Sequence, residues 1–120
     1  MCTDSIVENG AGFLLEHGRI NWYFQQYFQT DNLHCEKVKK ASPLLGTFSK
    51  DMPETLIITA GCDPLRDEGN IYLKSLKSAA VHVEHYQFDE MIHAYMLLDS
   101  LVKDECNKTY QMISDFIRAC

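Results

Sequence analysis

The sequence of 120 residues has no long apolar run. Its amino-terminal region carries Asp4 and Glu8, and the only apolar stretch there is the brief Phe13-Leu14-Leu15. Three residues fall short of the apolar core of a signal peptide, and a membrane-spanning helix needs about 20. The sequence therefore predicts neither secretion nor a membrane span.

Basic residues are also scarce, since 11 Lys and Arg stand against 17 Asp and Glu and give a formal net charge of −6. The one basic cluster is Lys37-Val38-Lys39-Lys40. Nucleic acids and anionic membranes bind proteins through positive surfaces. We therefore expect neither as a partner.

The cysteines lack the spacing of a functional cluster. There are five, an odd number, and they are widely separated: Cys2, Cys35, Cys62, Cys106 and Cys120. This spacing indicates neither a disulfide framework nor a CxxC metal or redox site. We expect reduced thiols and a cytoplasmic protein.

The composition, with 46% hydrophobic and 23% charged residues, is typical of one soluble globular domain. Residues 1–53 are interpreted as an irregular arm, a helix from about Gly18 and a long connection over residues 30–53 with at most one helical turn around Cys35 to Lys40. The helix has an apolar face at helical spacing, formed by Ile20, Tyr23, Phe24, Tyr27 and Phe28. We predict that this face is buried in the core; the alternative is that its aromatic rings line a substrate pocket.

Residues 54–120 show an α/β pattern. An apolar β-branched strand at about 55–60 is followed by a helix that starts with Asp67 and Glu68, and then by an alternating strand at 81–88. Strand, helix and strand make one βαβ unit with two parallel strands. Helical spacing over 95–102 and a last helix capped by Asp104 bring the total to about four helices.

Two side chains of this unit have catalytic potential. Asp63 and His93 each lie just beyond the carboxyl end of a strand, so parallel strands place both at one sheet edge. A carboxylate beside an imidazole can hold one tautomer and stabilise the imidazolium ion. The pair would be the acid and base half of a nucleophilic hydrolase. In the alternative interpretation Asp63 only forms a turn and Asp67 only caps a helix.

The other histidines do not indicate a metal site. His82 and His85 lie three apart in a strand and thus on opposite faces. His17 and His34 have no cysteine or carboxylate at ligand spacing. We expect no metal.

A nucleophile is missing. The sequence contains neither the G-x-S-x-G elbow nor the HGGG loop of serine hydrolases. Cys62 adjoins Asp63, but its place at a strand end favours a packed small residue over a nucleophile.

The segment Ile58-Thr59-Ala60-Gly61-Cys62-Asp63-Pro64-Leu65-Arg66-Asp67-Glu68-Gly69 resembles the seventh strand and acid turn of the hormone-sensitive-lipase-like branch of the α/β-hydrolases. Met91-Ile92-His93 is similar to that family's histidine loop. Weaker likeness to the preceding connection is carried by Glu8-Asn9-Gly10, Trp22 to Tyr27, and Ala41-Ser42-Pro43-Leu44-Leu45.

The resemblance implies a carboxylic-ester hydrolase with no cofactor, in which Asp63 is the triad acid and His93 the base. Small esters would be its substrates. One departure is Ala94, where the family has glycine. The other is that the family's first six strands, oxyanion loop and nucleophile have no counterpart, so that residues 1–120 would form one partial domain that is inactive alone.

A partial sheet should leave an edge and apolar helix faces uncovered. We therefore expect the chain to associate with itself or with a segment that carries the nucleophile. The alternative function is a non-catalytic interaction module derived from the same scaffold. A small flavodoxin-like domain is a weaker possibility, because one βαβ unit is too little sheet for it.

Overall fold

The computed structural model describes residues 3–32 and 35–119. In this part of the chain the helices and strands follow in this order: α1 (Asp4–Asn9), α2 (His17–Phe28), α3 (Glu36–Ala41), β1 (Thr55–Cys62), α4 (Arg66–Ser78), β2 (Val83–Ile92) and α5 (Lys103–Ala119). Short 3-10 turns lie at Pro43–Leu45 and Tyr95–Leu98.

The two strands run parallel, with α4 as the crossover between them. Their register is regular from Thr55 opposite Val83 to Ala60 opposite Phe88, and then shifts so that Cys62 lies opposite Ile92. The α/β fold predicted from the sequence is thereby confirmed. The second strand is longer than predicted, because it continues past Phe88 through this irregular register.

Alternation along the strands separates two faces of the sheet. One face packs beneath α5 and the segment after β2, and its buried core is Ala60, Phe88, Tyr95 and Cys106. On the other face α4 lies so close that a Cβ atom on Gly69 would be 2.9 Å from the Thr59 methyl group. A larger residue than glycine would therefore require the Thr59 side chain or α4 to shift.

Helix α2 is less buried than predicted. Phe28 is its buried residue, whereas the side chains of Tyr23 and Tyr27 are 52% and 80% exposed. The prediction that the whole aromatic face packs in the core is therefore wrong for these two rings. Phe24 and Phe28 stack on each other, with ring centroids 5.8 Å apart.

Around Cys35 to Lys40, where the sequence predicted at most one helical turn, the structure has the short helix α3. Two local predictions were wrong: part of the predicted irregular arm forms α1, and the helix predicted over 95–102 is a 3-10 turn at Tyr95–Leu98. A six-residue helix such as α1 is too short to be stable by itself. Its hydrogen bonds to a distant turn, described below, supply what local propensity lacks.

Helix α4 ends in a Schellman motif. The Val81 N–H donates to the Leu76 carbonyl at 3.1 Å, and the Ala80 N–H donates to the Lys77 carbonyl at 3.0 Å. Ala80 itself has φ of +60°, in the left-handed region that glycine adopts without steric cost.

We therefore expect Ala80→Gly to raise the free energy of unfolding by about 0.5–1 kcal/mol. Urea denaturation measures the change. The matched control is Ala79→Gly, because Ala79 has φ of −86° and glycine there only adds chain entropy to the unfolded state. Equal stability of the two variants would contradict the strain at residue 80.

Among the helices of the described part of the chain, none has the length and apolar character needed to cross a membrane.

Candidate active site

Asp63 and His93 meet at the carboxyl edge of the sheet. Asp63 follows the last residue of β1, His93 follows the last residue of β2, and the imidazole Nδ1 lies 2.8 Å from the Asp63 Oδ2. Because an ionised carboxylate can only accept, this contact selects the imidazole tautomer with the proton on Nδ1. The structure thus brings together the two residues selected from the sequence, while their catalytic role stays a prediction.

The two oxygens of Asp63 have different partners. Oδ2 faces His93, and Oδ1 accepts the N–H of Leu65 at 2.8 Å, which forms an Asx-turn. The turn-forming role and the imidazole-binding role therefore occur in one side chain. The Asp63 side chain is 14% exposed and that of His93 is 36% exposed, so the carboxylate is sheltered while the ring reaches solvent.

A bulge in β2 sets the position of His93. Between the pairs Ala60–Phe88 and Cys62–Ile92, β1 advances two residues while β2 advances four. The strands approach so closely here that a Cβ atom on Gly61 would lie 2.0 Å from the Asp89 carbonyl oxygen. The two extra residues of β2 carry His93 out to the level of Asp63.

The backbone reverses directly after His93. Ala94 has φ of +57° and ψ of 28°, the left-handed conformation that favours glycine. The glycine expected at this position from the family resemblance is explained by this geometry. Tyr95 then enters the core, where its hydroxyl bonds to that of Thr109 and burial raises its pKa.

Arg66 links α1 to the turn that carries Asp63, which we call the acid turn. Its guanidinium donates to the Gly61 carbonyl at 3.0 Å, to Asp67 at 2.9 Å and to Glu8 at 2.8 Å. The hydrogen bond from Arg66 lowers the pKa of Asp67, and the same bond raises the pKa of Arg66. Burial raises the pKa of Glu68 in the next position.

Two residues of α1 that complete this turn, Ser5 and Asn9, were missed from the sequence. The only signal was the likeness of Glu8-Asn9-Gly10 to the related family, because the segment has no helical period. Ser5 is 0% exposed and Asn9 is 7% exposed, and both side chains bond to the acid turn.

The remaining histidines lie elsewhere. His85 bonds to the Thr59 hydroxyl at 3.0 Å, and burial lowers its pKa. His82 lies 3.5 Å from Glu54, His17 contacts Asn21, and His34 is outside the described residues. Over residues 3–32 and 35–119, no group of three or more His, Cys, Asp or Glu side chains could hold a metal ion.

The described cysteines are free thiols, namely Cys35, Cys62 and Cys106. Cys62 lies against the strand bulge, with its Sγ 3.7 Å from the Asp89 carbonyl oxygen. Cys2 and Cys120 lie outside the described residues. The cytoplasmic location inferred from reduced thiols stays a prediction.

Comparison with known proteins identifies the family. Residues 2–97 match the family described as alpha/beta hydrolase fold. The chain belongs to this family, in its hormone-sensitive-lipase-like branch, and its relatives include carboxylic ester hydrolases and an arylacetamide deacetylase.

Several curated relatives are hydrolases. The ethyl acetate hydrolase of Pseudomonas putida is 32% identical over 100 residues, which cover 83% of this chain and 31% of that protein. The carboxylic ester hydrolase LipN of Mycobacterium tuberculosis is 33% identical over 105 residues, or 88% of this chain and 28% of that protein. The matched region thus spans less than a third of either relative.

Solved structures agree with this assignment. An esterase of Pyrobaculum calidifontis superimposes with a TM-score of 0.87 at 28% identity, over 99% of this chain and 38% of that chain. A thermostable esterase of Pseudomonas putida gives a TM-score of 0.68 at 34% identity, over 78% of this chain and 30% of that chain.

Proposed function

We propose that this chain supplies the acid and base of a Ser-His-Asp triad that hydrolyses carboxylic esters. The 2.8 Å contact between His93 Nδ1 and Asp63 Oδ2 carries the proposal. Family membership supports the reaction class, because the similar proteins include an ethyl acetate hydrolase and a carboxylic ester hydrolase. Small esters are the proposed substrates, and no cofactor takes part.

In the proposed reaction Asp63 keeps the Nδ1 proton in place, which leaves Nε2 of His93 as the base. Nε2 takes the proton of a serine hydroxyl while the serine oxygen bonds to the ester carbonyl carbon. The imidazolium then protonates the leaving alcohol, and an acyl-enzyme remains. Water then reacts with the acyl-enzyme through the same proton transfers by His93, which releases the carboxylic acid and restores the serine.

The serine of this triad comes, in our proposal, from a polypeptide segment outside these 120 residues. None of the seven serines stands in a G-x-S-x-G sequence. Ser5 is fully buried and its hydroxyl is bonded to the Pro64 carbonyl. We therefore propose that the chain alone has no esterase activity.

Association would cover surfaces that the described chain leaves exposed. Its two-stranded sheet has an unpaired edge on each strand within the described residues. Large apolar side chains are also exposed, among them Val7 at 84%, Leu97 at 80% and Leu101 at 78%. We propose that these surfaces pair with a second copy in isolation and with the nucleophile-bearing segment in the complete enzyme.

A chimera tests the function. Residues of this chain replace the matching segment of the Pseudomonas putida ethyl acetate hydrolase, which retains its own nucleophile. We expect the chimera to hydrolyse p-nitrophenyl acetate and to react with a fluorophosphonate probe. The isolated chain should do neither, and light scattering should show it to be larger than a monomer.

The control is the chimera with His93→Ala, which should lose at least about 1,000-fold in kcat. Circular dichroism should show that its fold is unchanged. A folded His93→Ala chimera with full turnover would exclude the base role, and probe labelling of a serine within the isolated chain would exclude the divided triad.

The second candidate function, an interaction module, is favoured by the exposed aromatic rings of α2. Trp22 is 53% exposed, and Tyr23 and Tyr27 are 52% and 80% exposed. Aromatic side chains are enriched at protein interfaces. A folded chimera without turnover would favour this function over the esterase.

A further inference from the structure

The turn that carries Asp63 is held by side chains from a distant part of the chain. Fifty-nine positions separate Ser5 from Pro64, and 54 separate Asn9 from Asp63. Both α1 residues are buried, at 0% and 7% exposure. Burying polar side chains is costly unless they are hydrogen-bonded, so the partners of Ser5 and Asn9 explain why they are here.

Ser5 acts on the start of α4. Its hydroxyl donates to the Pro64 carbonyl at 2.8 Å and accepts the Asp67 N–H at 3.2 Å, while its own N–H donates to Asp67 Oδ2 at 2.7 Å. Leu65, the residue before α4, provides no side-chain cap. The serine hydroxyl thus accepts from an N–H of the first turn that has no partner within the helix, as a capping residue would.

Asn9 acts on the backbone on either side of Cys62. Its side-chain amide donates to the carbonyl oxygens of Gly61 at 3.3 Å and Asp63 at 3.4 Å. The Asp63 carbonyl also accepts the N–H of Arg66 at 3.1 Å. Ser5 and Asn9 together therefore engage the carbonyl groups of Gly61, Asp63 and Pro64.

The orientation of the Asp63 carboxylate depends on this backbone. Oδ1 is tied to the Leu65 N–H two residues ahead, so the direction of Oδ2 follows the peptide planes of the turn. Hydrogen bonds weaken steeply when their distance or angle changes. A small rotation of the turn would thus loosen the contact with His93 without unfolding the sheet.

We propose that Ser5 and Asn9 are positioning residues that hold the Asp63 turn so that the carboxylate keeps His93 in the Nδ1-protonated tautomer. The importance of this positioning for catalysis rests on the proposed esterase function. Its effect on the tautomer of His93 does not rest on that function, because it can be measured in this chain without any ester. A purely structural role for α1 would change stability and leave the tautomer of the folded chain unchanged.

The test is nitrogen NMR of the 120-residue chain with ¹⁵N-labelled histidine, in which the two ring nitrogens report the tautomer. In Ser5→Ala and in Asn9→Ala, we expect the ratio of Nδ1-protonated to Nε2-protonated His93 to fall roughly three- to tenfold, as for the loss of one hydrogen bond. The matched control is Asn21→Ala, since Asn21 also contacts a histidine, His17, but lies away from the acid turn. In this control the tautomer of His93 should be unchanged.

A folded Asn9→Ala or Ser5→Ala chain with the parent tautomer ratio would overturn the proposal. If these variants do not fold, hydrogen exchange in the unmodified chain tests the proposal instead. Its Asn9 side-chain amide protons should exchange with water more slowly than those of the exposed Gln26, and equal rates would overturn the proposal. Failure of the chimera to hydrolyse esters would affect only the proposed function, because neither measurement involves an ester.

Discussion

Asp63→Asn is expected to lower kcat of the chimeric esterase by about 10,000-fold while leaving its fold in place. An asparagine has one acceptor oxygen, and this oxygen can still accept the Leu65 N–H that Oδ1 of Asp63 now accepts at 2.8 Å. The Asx-turn therefore remains, and with it the path of the backbone. The amide nitrogen, however, then faces the imidazole of His93.

The loss follows from the tautomer. The amide N–H is a donor, so His93 would turn its Nδ1 into an acceptor and carry its proton on Nε2. A protonated Nε2 cannot take the proton of the serine hydroxyl. Steady-state kinetics with p-nitrophenyl acetate measure the loss, and KM should change far less than kcat because the ester does not contact residue 63 in this mechanism.

The comparison variant is Asp63→Ala, which removes both contacts of the carboxylate. We expect a similar loss of kcat together with a loss of about 1–2 kcal/mol in stability, since the Leu65 N–H is left without its acceptor. The difference between the two variants separates the turn-forming role from the catalytic role. Equal turnover of the Asn variant and the parent chimera would refute the acid role.

The two roles of Asp63 show how much of the site the sequence could predict. The position of Asp63 and His93 after consecutive strands predicted their meeting, because two parallel strands end at the same edge. The choice between a turn former and a catalytic acid could not be made from one residue in a sequence. In the structure Oδ1 forms the turn and Oδ2 contacts His93, so the turn-forming role does not argue against the catalytic role, which stays a prediction.

The parts of the fold that were missed depend on contacts between distant residues. Residues 1–16 contain Asn9-Gly10 and Gly12 and no helical period, so α1 has no local signal. It is held by Ser5 and Asn9 on the acid turn. Such pairing cannot be read from composition or spacing, because each partner alone is an ordinary polar residue.

Helix α2 shows the opposite case. Its periodicity is strong and the helix is present, yet Tyr27 is 80% exposed. Periodicity reports which residues share a face, whereas burial depends on what lies against that face. Within the described residues too little of the protein covers α2 to bury the whole stripe.

Of the substitutions that add one methyl group to the sheet, Gly61→Ala is expected to lower the stability most. A Cβ atom at residue 61 would lie 2.0 Å from the Asp89 carbonyl oxygen and 2.6 Å from both the Asp89 carbonyl carbon and Cα. All three atoms belong to the backbone, so no side-chain rotation can relieve the clash. In the variant the two strands would have to move apart at the bulge, which sets the position of His93.

We expect a loss of at least about 3 kcal/mol in the free energy of unfolding, at the upper end of overpacking costs, as measured by urea denaturation. The matched control is Gly18→Ala in α2, where nothing lies within 4 Å of the added Cβ and helix propensity favours alanine by up to about 1 kcal/mol. Because the bulge and the acid turn share Gly61, the His93–Asp63 contact should be lost with it. A Gly61→Ala chain as stable as Gly18→Ala would show that the strands do not approach as closely as the structure has them.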